Sequence, residues 1–186
     1  MNSLSLVVEG KCDVALLRRY LPPMHKTHLR FFAAGGGMSL ATVARNLLVM
    51  EPGDVLVVMD GDSLNRSRVE DDRCMMLAAL RSMSDDSRFD VFAFVPAHEI
   101  LFFEAPQVLQ RHLDLSVLTP ALLDRGLYDP IGTLETLLKG TGYTLASWPA
   151  TLTPADGDDL RKGAQGAALV AMLRSLGRSE PLRKSA

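Results

Sequence analysis

The sequence predicts an α/β protein: a Rossmann-like, mainly parallel sheet flanked by helices, with a helical C-terminal extension. Three observations predict it. Apolar runs at residues 4–8, 28–33, 55–59 and 91–95 alternate with stretches of helical periodicity, and strands separated by helices of ten or more residues imply βαβ crossovers. The run Val55-Leu56-Val57-Val58-Met59 is apolar without alternation, as a strand covered on both faces must be. Beyond Pro106 the pattern turns to helical pieces punctuated by Pro, Gly and Asp.

The first strand, residues 4–8, runs into Glu9-Gly10, and Asp13 stands where it can cap or open a helix over 14–21. Val14, Leu17 and Leu21 share one face of that helix, and Pro22-Pro23 stops it. The second strand, 28–33, leads through Gly35-Gly36-Gly37 to a helix over 39–50, stopped by Pro52-Gly53. The third strand, 55–59, ends at Asp60-Gly61-Asp62. A helix over 69–83 follows, and the fourth strand, 91–95, closes at Pro96. Helical pieces are expected at 106–112, 120–125, 131–139 and 163–176. Residues 1–105 form the core and 106–176 an extension packed on it within one domain; 177–186 read as a frayed tail.

The chain has 186 residues, which suits one domain with a real core. No apolar run reaches the roughly 18 residues that span a bilayer, and Met-Asn-Ser enters an apolar strand without a basic leader region. A cytoplasmic protein with no membrane partner is expected. Cys12 and Cys74 form no CxxC pair, so buried or idle thiols are expected rather than a disulfide or a cysteine zinc site. A net charge of −2 gives no overall basic character to mark a nucleic-acid binder. Basic residues gather only locally, at Arg18-Arg19, Arg66/Arg68, Arg161-Lys162 and Arg183-Lys184.

Acidic residues fall at the strand ends. Glu9 follows strand one, Asp60 and Asp62 follow strand three, and Glu99 follows strand four. Ligands of open parallel sheets bind beyond the carboxyl ends of the strands. Residues two apart in an extended segment point the same way, so Asp60 and Asp62 are expected to share one cation. Carboxylates crowded together repel unless a cation neutralises them. Oxygen donors with no histidine or cysteine among them favour Mg²⁺, or Mn²⁺, over zinc.

These residues carry a resemblance. Val8-Glu9-Gly10-Lys11-Cys12-Asp13 resembles the Toprim E-G-x-x-D motif, and Met59-Asp60-Gly61-Asp62 resembles its D-x-D motif. Gly35-Gly36-Gly37 and Pro96-Ala97-His98-Glu99-Ile100-Leu101-Phe102-Phe103 are similar to the glycine turn and late acidic motif of OLD-family (overcoming lysogenization defect) nucleases. The match covers roughly residues 4 to 106. It implies a Mg²⁺-dependent nuclease cleaving phosphodiester bonds, with Glu9 as metal ligand and general acid/base. Asp60 and Asp62 would bind metal, with Asp13 and Glu99 completing the site, and a late lysine, Lys162 or its competitor Lys139, would stabilise the transition state.

The implied substrate is DNA or RNA. OLD proteins usually carry an ATPase domain, and no P-loop pattern occurs here. The chain therefore resembles a standalone Toprim subunit paired with a separate ATPase in anti-phage defence; a homodimer is also open. The ribosomal-RNA maturation nucleases share the V-V-E-G-K-x-D-V opening, but Ser63-Leu64-Asn65-Arg66 departs from their pattern after D-x-D. A catalytically inactive Toprim module is the third alternative.

Several signals read two ways. The glycine run could present amides to a phosphate or form a simple turn. His25 and His28 have an i, i+3 metal spacing but read as surface residues. His98 could carry a proton, with a structural role favoured. Phe31-Phe32 and Phe102-Phe103 read as core aromatics, and Trp148 carries little signal.

Overall fold

The computed structural model describes residues 2–22, 27–84, 88–113 and 118–176. Pro23, His25, Arg183-Lys184 and the 177–186 tail lie outside the described residues. The strands are β1 (Asn2–Val8), β2 (Thr27–Ala33), β3 (Asp54–Asp60) and β4 (Phe89–Phe94). They form one sheet in the order β2-β1-β3-β4, every pairing parallel. In register, Leu6 lies beside Phe31 and Leu56, and Leu56 beside Asp90.

The crossovers are α1 (Lys11–Tyr20), α2 (Leu40–Met50) and α3 (Arg66–Arg81). Strand alternation sorts the core into two layers. Leu4, Leu6, Val8, Leu56, Val58, Phe92 and Phe94 pack with Leu16, Leu17 and Tyr20 of α1. Val7, Val55, Val57, Phe89 and Val91 pack with Leu40, Ala44, Leu47 and Leu48 of α2 and Leu80 of α3. Fully burying a Val, Leu or Phe side chain in these layers stabilises the fold by roughly 1.5–3 kcal/mol. This explains why β3 reads as apolar throughout: both of its faces are covered.

The second half builds on the α1 layer through α4 (Ile100–Glu104), α5 (Pro106–His112), α6 (Pro120–Gly126), α7 (Pro130–Leu138), α8 (Pro154–Leu160) and α9 (Ala164–Leu176). Val108, Leu109, Leu134, Leu137, Leu160, Leu169 and Leu173 join the same apolar cluster as the sheet. No helix among the described residues is long and apolar enough to cross a membrane.

The structure corrects the sequence reading at several elements. Helix α1 begins at Lys11, so Asp13 lies inside its first turn. Helix α3 begins three residues before Val69 because Asn65 caps it, its side chain accepting from the amides of Ser67 and Arg68. Helix α8 was unforeseen. Its Thr153-x-x-Asp156 capping box, with side chain and backbone bonded reciprocally, is a recognisable start signal hidden in a stretch rich in Asp and Gly. Trp148 is a core residue, 1% exposed, with its ring 4.6 Å from that of Phe102. Cys12 and Cys74 are free thiols and both are exposed, which removes the buried alternative.

The topology fixes where a site can form. The chain leaves β1 toward β2 on one side, then returns past β1 to place β3 on the other. The crossovers therefore diverge at the carboxyl ends of β1 and β3, which opens a crevice at that switch point. Glu9 directly follows β1 and Asp60 ends β3.

Candidate metal centre

Glu9 is fixed through its backbone by the turn after β2. Its carbonyl oxygen accepts from Gly35 N at 2.9 Å and Gly36 N at 3.0 Å. Gly35 and Gly36 take φ of 86° and 132°, values that side chains disfavour. Both amides are engaged by Glu9, so the glycine run is a turn that clamps this residue, and the phosphate-cradle alternative loses those two donors. A Cβ on Gly37 would stand 3.4 Å from Glu9 Oε2, so the turn also borders the carboxylate.

Across the crevice, Asp60 N donates to Glu9 Oε1 at 3.4 Å. Burial chiefly raises the Glu9 carboxyl above the ordinary carboxylate range; the Asp60 amide opposes this, and the charges of Asp60, Asp62 and Asp13 add to the rise. Asp13 Oδ2 accepts from Gly10 N at 2.9 Å, which holds the carboxylate at the mouth of α1.

The turn after β3 departs from expectation. Strand geometry ends at Asp60. Gly61 N donates to the carbonyls of Phe94 and Pro96, and Asp62 N to Pro96, each at 2.9 Å. Asp62 adopts φ 49°, a left-handed conformation that Asp tolerates better than most residues, and it is exposed. The segment is therefore not extended through Asp62, so the strand geometry from which the sequence reading aligned Asp60 with Asp62 ends before Asp62. Gly61 is obligatory: a Cβ there would lie 2.6 Å from Val69 Cγ2 and 2.7 Å from the Phe94 carbonyl oxygen.

The third contribution comes from the bend after β4, where Val95-Pro96 is a cis peptide. Gln165 of α9 clasps this bend, accepting from Val95 N at 2.7 Å and donating to Val95 O at 2.8 Å. His98 N donates to Asp60 Oδ1 at 2.9 Å, and His98 Nδ1 lies 3.1 Å from Asp60 Oδ2. On its other side, His98 Nε2 lies 3.3 Å from Glu99 Oε1 and 3.8 Å from Asp13 Oδ1. Burial, the largest single influence on His98, pulls its pKa down, but the Asp60 hydrogen bond and the charges of Asp60, Glu99 and Asp13 outweigh it and lift the ring to about 9.

Glu99 immediately precedes α4 and is 8% exposed. Its Oε2 is buried without a hydrogen-bond partner. Burial raises its carboxyl above the ordinary range, against the opposing pull of His98. Asp60, His98 and Glu99 each bring one donor atom within 4.8 Å of the others. A cavity of about 10 Å³, lined by Asp13, Leu17, Val58, Asp60, Phe94 and His98, has room for about one water or ion.

Four acids named from sequence therefore converge: Glu9, Asp13, Asp60 and Glu99. Asp62 stands at the lip. The expectation of a site without histidine is corrected, because His98 lies at its centre; its place beside Glu99 in the sequence was the available signal. Gln165 was missed, and nothing local marked it. Lys162 is 71% exposed, with Nζ 2.6 Å from Asp159 Oδ1. Asp159 also pairs with Arg111, so Lys162 belongs to a surface chain of charges, with no bond to the strand-end acids. Lys139 is exposed just after α7, and His28 is an exposed residue of β2.

Comparison of the chain with protein-family models, with curated proteins and with solved structures gives no match in any of the three.

Proposed function

We propose that this chain is a Toprim-type, Mg²⁺-dependent nuclease that hydrolyses phosphodiester bonds in DNA or RNA. The observation that carries the reading is the convergence of Glu9, Asp13, Asp60 and Glu99 on the crevice between β1 and β3, with Glu99 Oε2 buried and unpartnered. An orphaned buried carboxylate oxygen costs about 1–3 kcal/mol or more, and a cation beside it removes that penalty. The donor set fits a divalent ion: Asp60, Glu99 and His98 stand within common reach, with Glu9 held against Asp60.

Bound there, a divalent ion would lower the pKa of a coordinated water and offset charge on the phosphate oxygens. The chain's own residues supply the rest. Glu9, held above the ordinary carboxylate range, is suited to take a proton from the attacking water and to return one to the leaving oxygen. Asp60 is fixed in orientation by the His98 amide and ring. Asp62, exposed at the lip, is placed to meet a second cation or the approaching substrate.

The test is cleavage of supercoiled plasmid and of single-stranded RNA by the purified chain, with Mg²⁺, with Mn²⁺ and with chelator. Glu9→Gln should lower the rate at least about a hundredfold, the usual scale for losing a positioned acid or base. Cleavage that persists undiminished in both Glu9→Gln and Asp60→Ala would refute the assignment.

A further inference from the structure

We propose that His98 is a nitrogen ligand of this metal centre, which therefore binds Mg²⁺ but holds first-row transition ions such as Mn²⁺ more tightly. The inference rests on the metal-site reading above and deepens it. Three separate observations support it. The ring stands between acids contributed by three elements, with Nδ1 3.1 Å from Asp60 Oδ2 and Nε2 3.3 Å from Glu99 Oε1 and 3.8 Å from Asp13 Oδ1. The small cavity beside the ring opens on His98, Asp60 and Asp13 together. Glu99, more than nine-tenths buried, keeps Oε2 without any partner.

A structural histidine would need one acceptor for each N–H. Here two carboxylates face Nε2 while a third faces Nδ1, more negative charge than one imidazolium balances. Metal-bound histidines commonly give their second ring nitrogen to a carboxylate, which fixes the tautomer and orients the ring. With Nδ1 held by Asp60, Nε2 faces Glu99 and Asp13 as the free donor. The resulting set mixes one imidazole with carboxylates. Carboxylate and water ligands suit Mg²⁺ and Mn²⁺ alike, whereas imidazole strengthens binding of Mn²⁺ and the later transition ions.

The experiment uses the full chain, stripped of metal by chelation and titrated calorimetrically with MnCl₂ and with MgCl₂. Pulsed electron paramagnetic resonance on the Mn²⁺-loaded protein then reads ¹⁴N hyperfine coupling from a coordinated imidazole. Wild type should bind Mn²⁺ at least about tenfold more tightly than Mg²⁺ and show the nitrogen coupling. His98→Gln should lose the coupling and roughly 10–100-fold in Mn²⁺ affinity, the scale for disturbing a ligand shell, with Mg²⁺ affinity changed much less. Saturable Mn²⁺ binding in wild type without nitrogen coupling overturns the His98 assignment and leaves the parent reading standing. No binding of either ion overturns both. Because the wild-type spectrum decides the matter alone, poor folding of His98→Gln does not protect the proposal.

Discussion

His98 grips Asp60 at two points: its backbone N–H meets Oδ1 at 2.9 Å, and its ring Nδ1 lies 3.1 Å from Oδ2. The pair joins the carboxyl end of β3 to the bend after β4, and it gathers the acids of three chain segments around one imidazole. Its raised pKa makes the ring a positive charge among these acids near neutral pH.

That arrangement has a measurable titration. With its pKa raised to about 9 from the ordinary 6.5, His98 favours the folded state fully below pH 6.5, and this contribution fades as pH rises through 9. In metal-free Asp60→Asn, which removes the principal compensating charge, the His98 resonance followed by NMR should titrate near or below 6.5. A midpoint still near 9 would show that Asp60 is not the cause.

Gly61→Ala tests the turn that presents Asp60. The added methyl would press on Val69 and on the Phe94 carbonyl, and the carbonyl is part of β4 and cannot step aside. Overpacking of this kind costs typically 1–3 kcal/mol. Denaturant unfolding should show a loss of at least about 2 kcal/mol. A loss below about 0.5 kcal/mol would mean that the turn relaxes freely.

Two aspartates should respond to pH in opposite directions. Asp156, fully buried, is held down at about 2: burial opposes this, but bonds from Thr153, His112 and Arg111 prevail. Its stabilisation is present above pH 3.8 and is lost as pH falls toward 2, so Asp156→Asn should cost about 2 kcal/mol at pH 7 and little near pH 2. Asp54 is pushed up to about 6 by burial, with Arg88 opposing. The ionised form is therefore penalised above pH 6, and Asp54→Asn should stabilise by on the order of 1 kcal/mol at pH 7.5, after discounting for solvent screening, with the gain absent near pH 4. Chemical denaturation across pH 2.5–8 reads both; slopes of the same sign would contradict the assignment.

The four strands, their helical crossovers and the placement of Glu9 and Asp60 at strand ends were legible because apolar runs ending in acids are local signals. The conformation of Asp62 was not, since it follows from hydrogen bonds to Phe94 and Pro96, more than thirty residues away. The same is true of His98, whose partners Asp60 and Asp13 come from other elements, and of Gln165, which reaches back seventy positions to Val95. Trp148 gave no periodic signal because it lies in a single 3-10 turn, Trp148–Thr151, and its ring meets Phe102 and His112, which lie more than thirty residues away. Sequence periodicity reports faces of elements; contacts between distant turns leave no such trace.

The central claim is that these acids hold a divalent ion, and thermal unfolding with added MgCl₂ tests it most directly. An ion binding only the folded state stabilises by about 2.7 kcal/mol at a hundred times its Kd, which for a chain of this size raises Tm by roughly 5–10 °C. Wild type should show that rise, saturating with Mg²⁺, and Asp60→Asn should lose it. An unchanged Tm in wild type, or an equal rise in Asp60→Asn, would contradict the account.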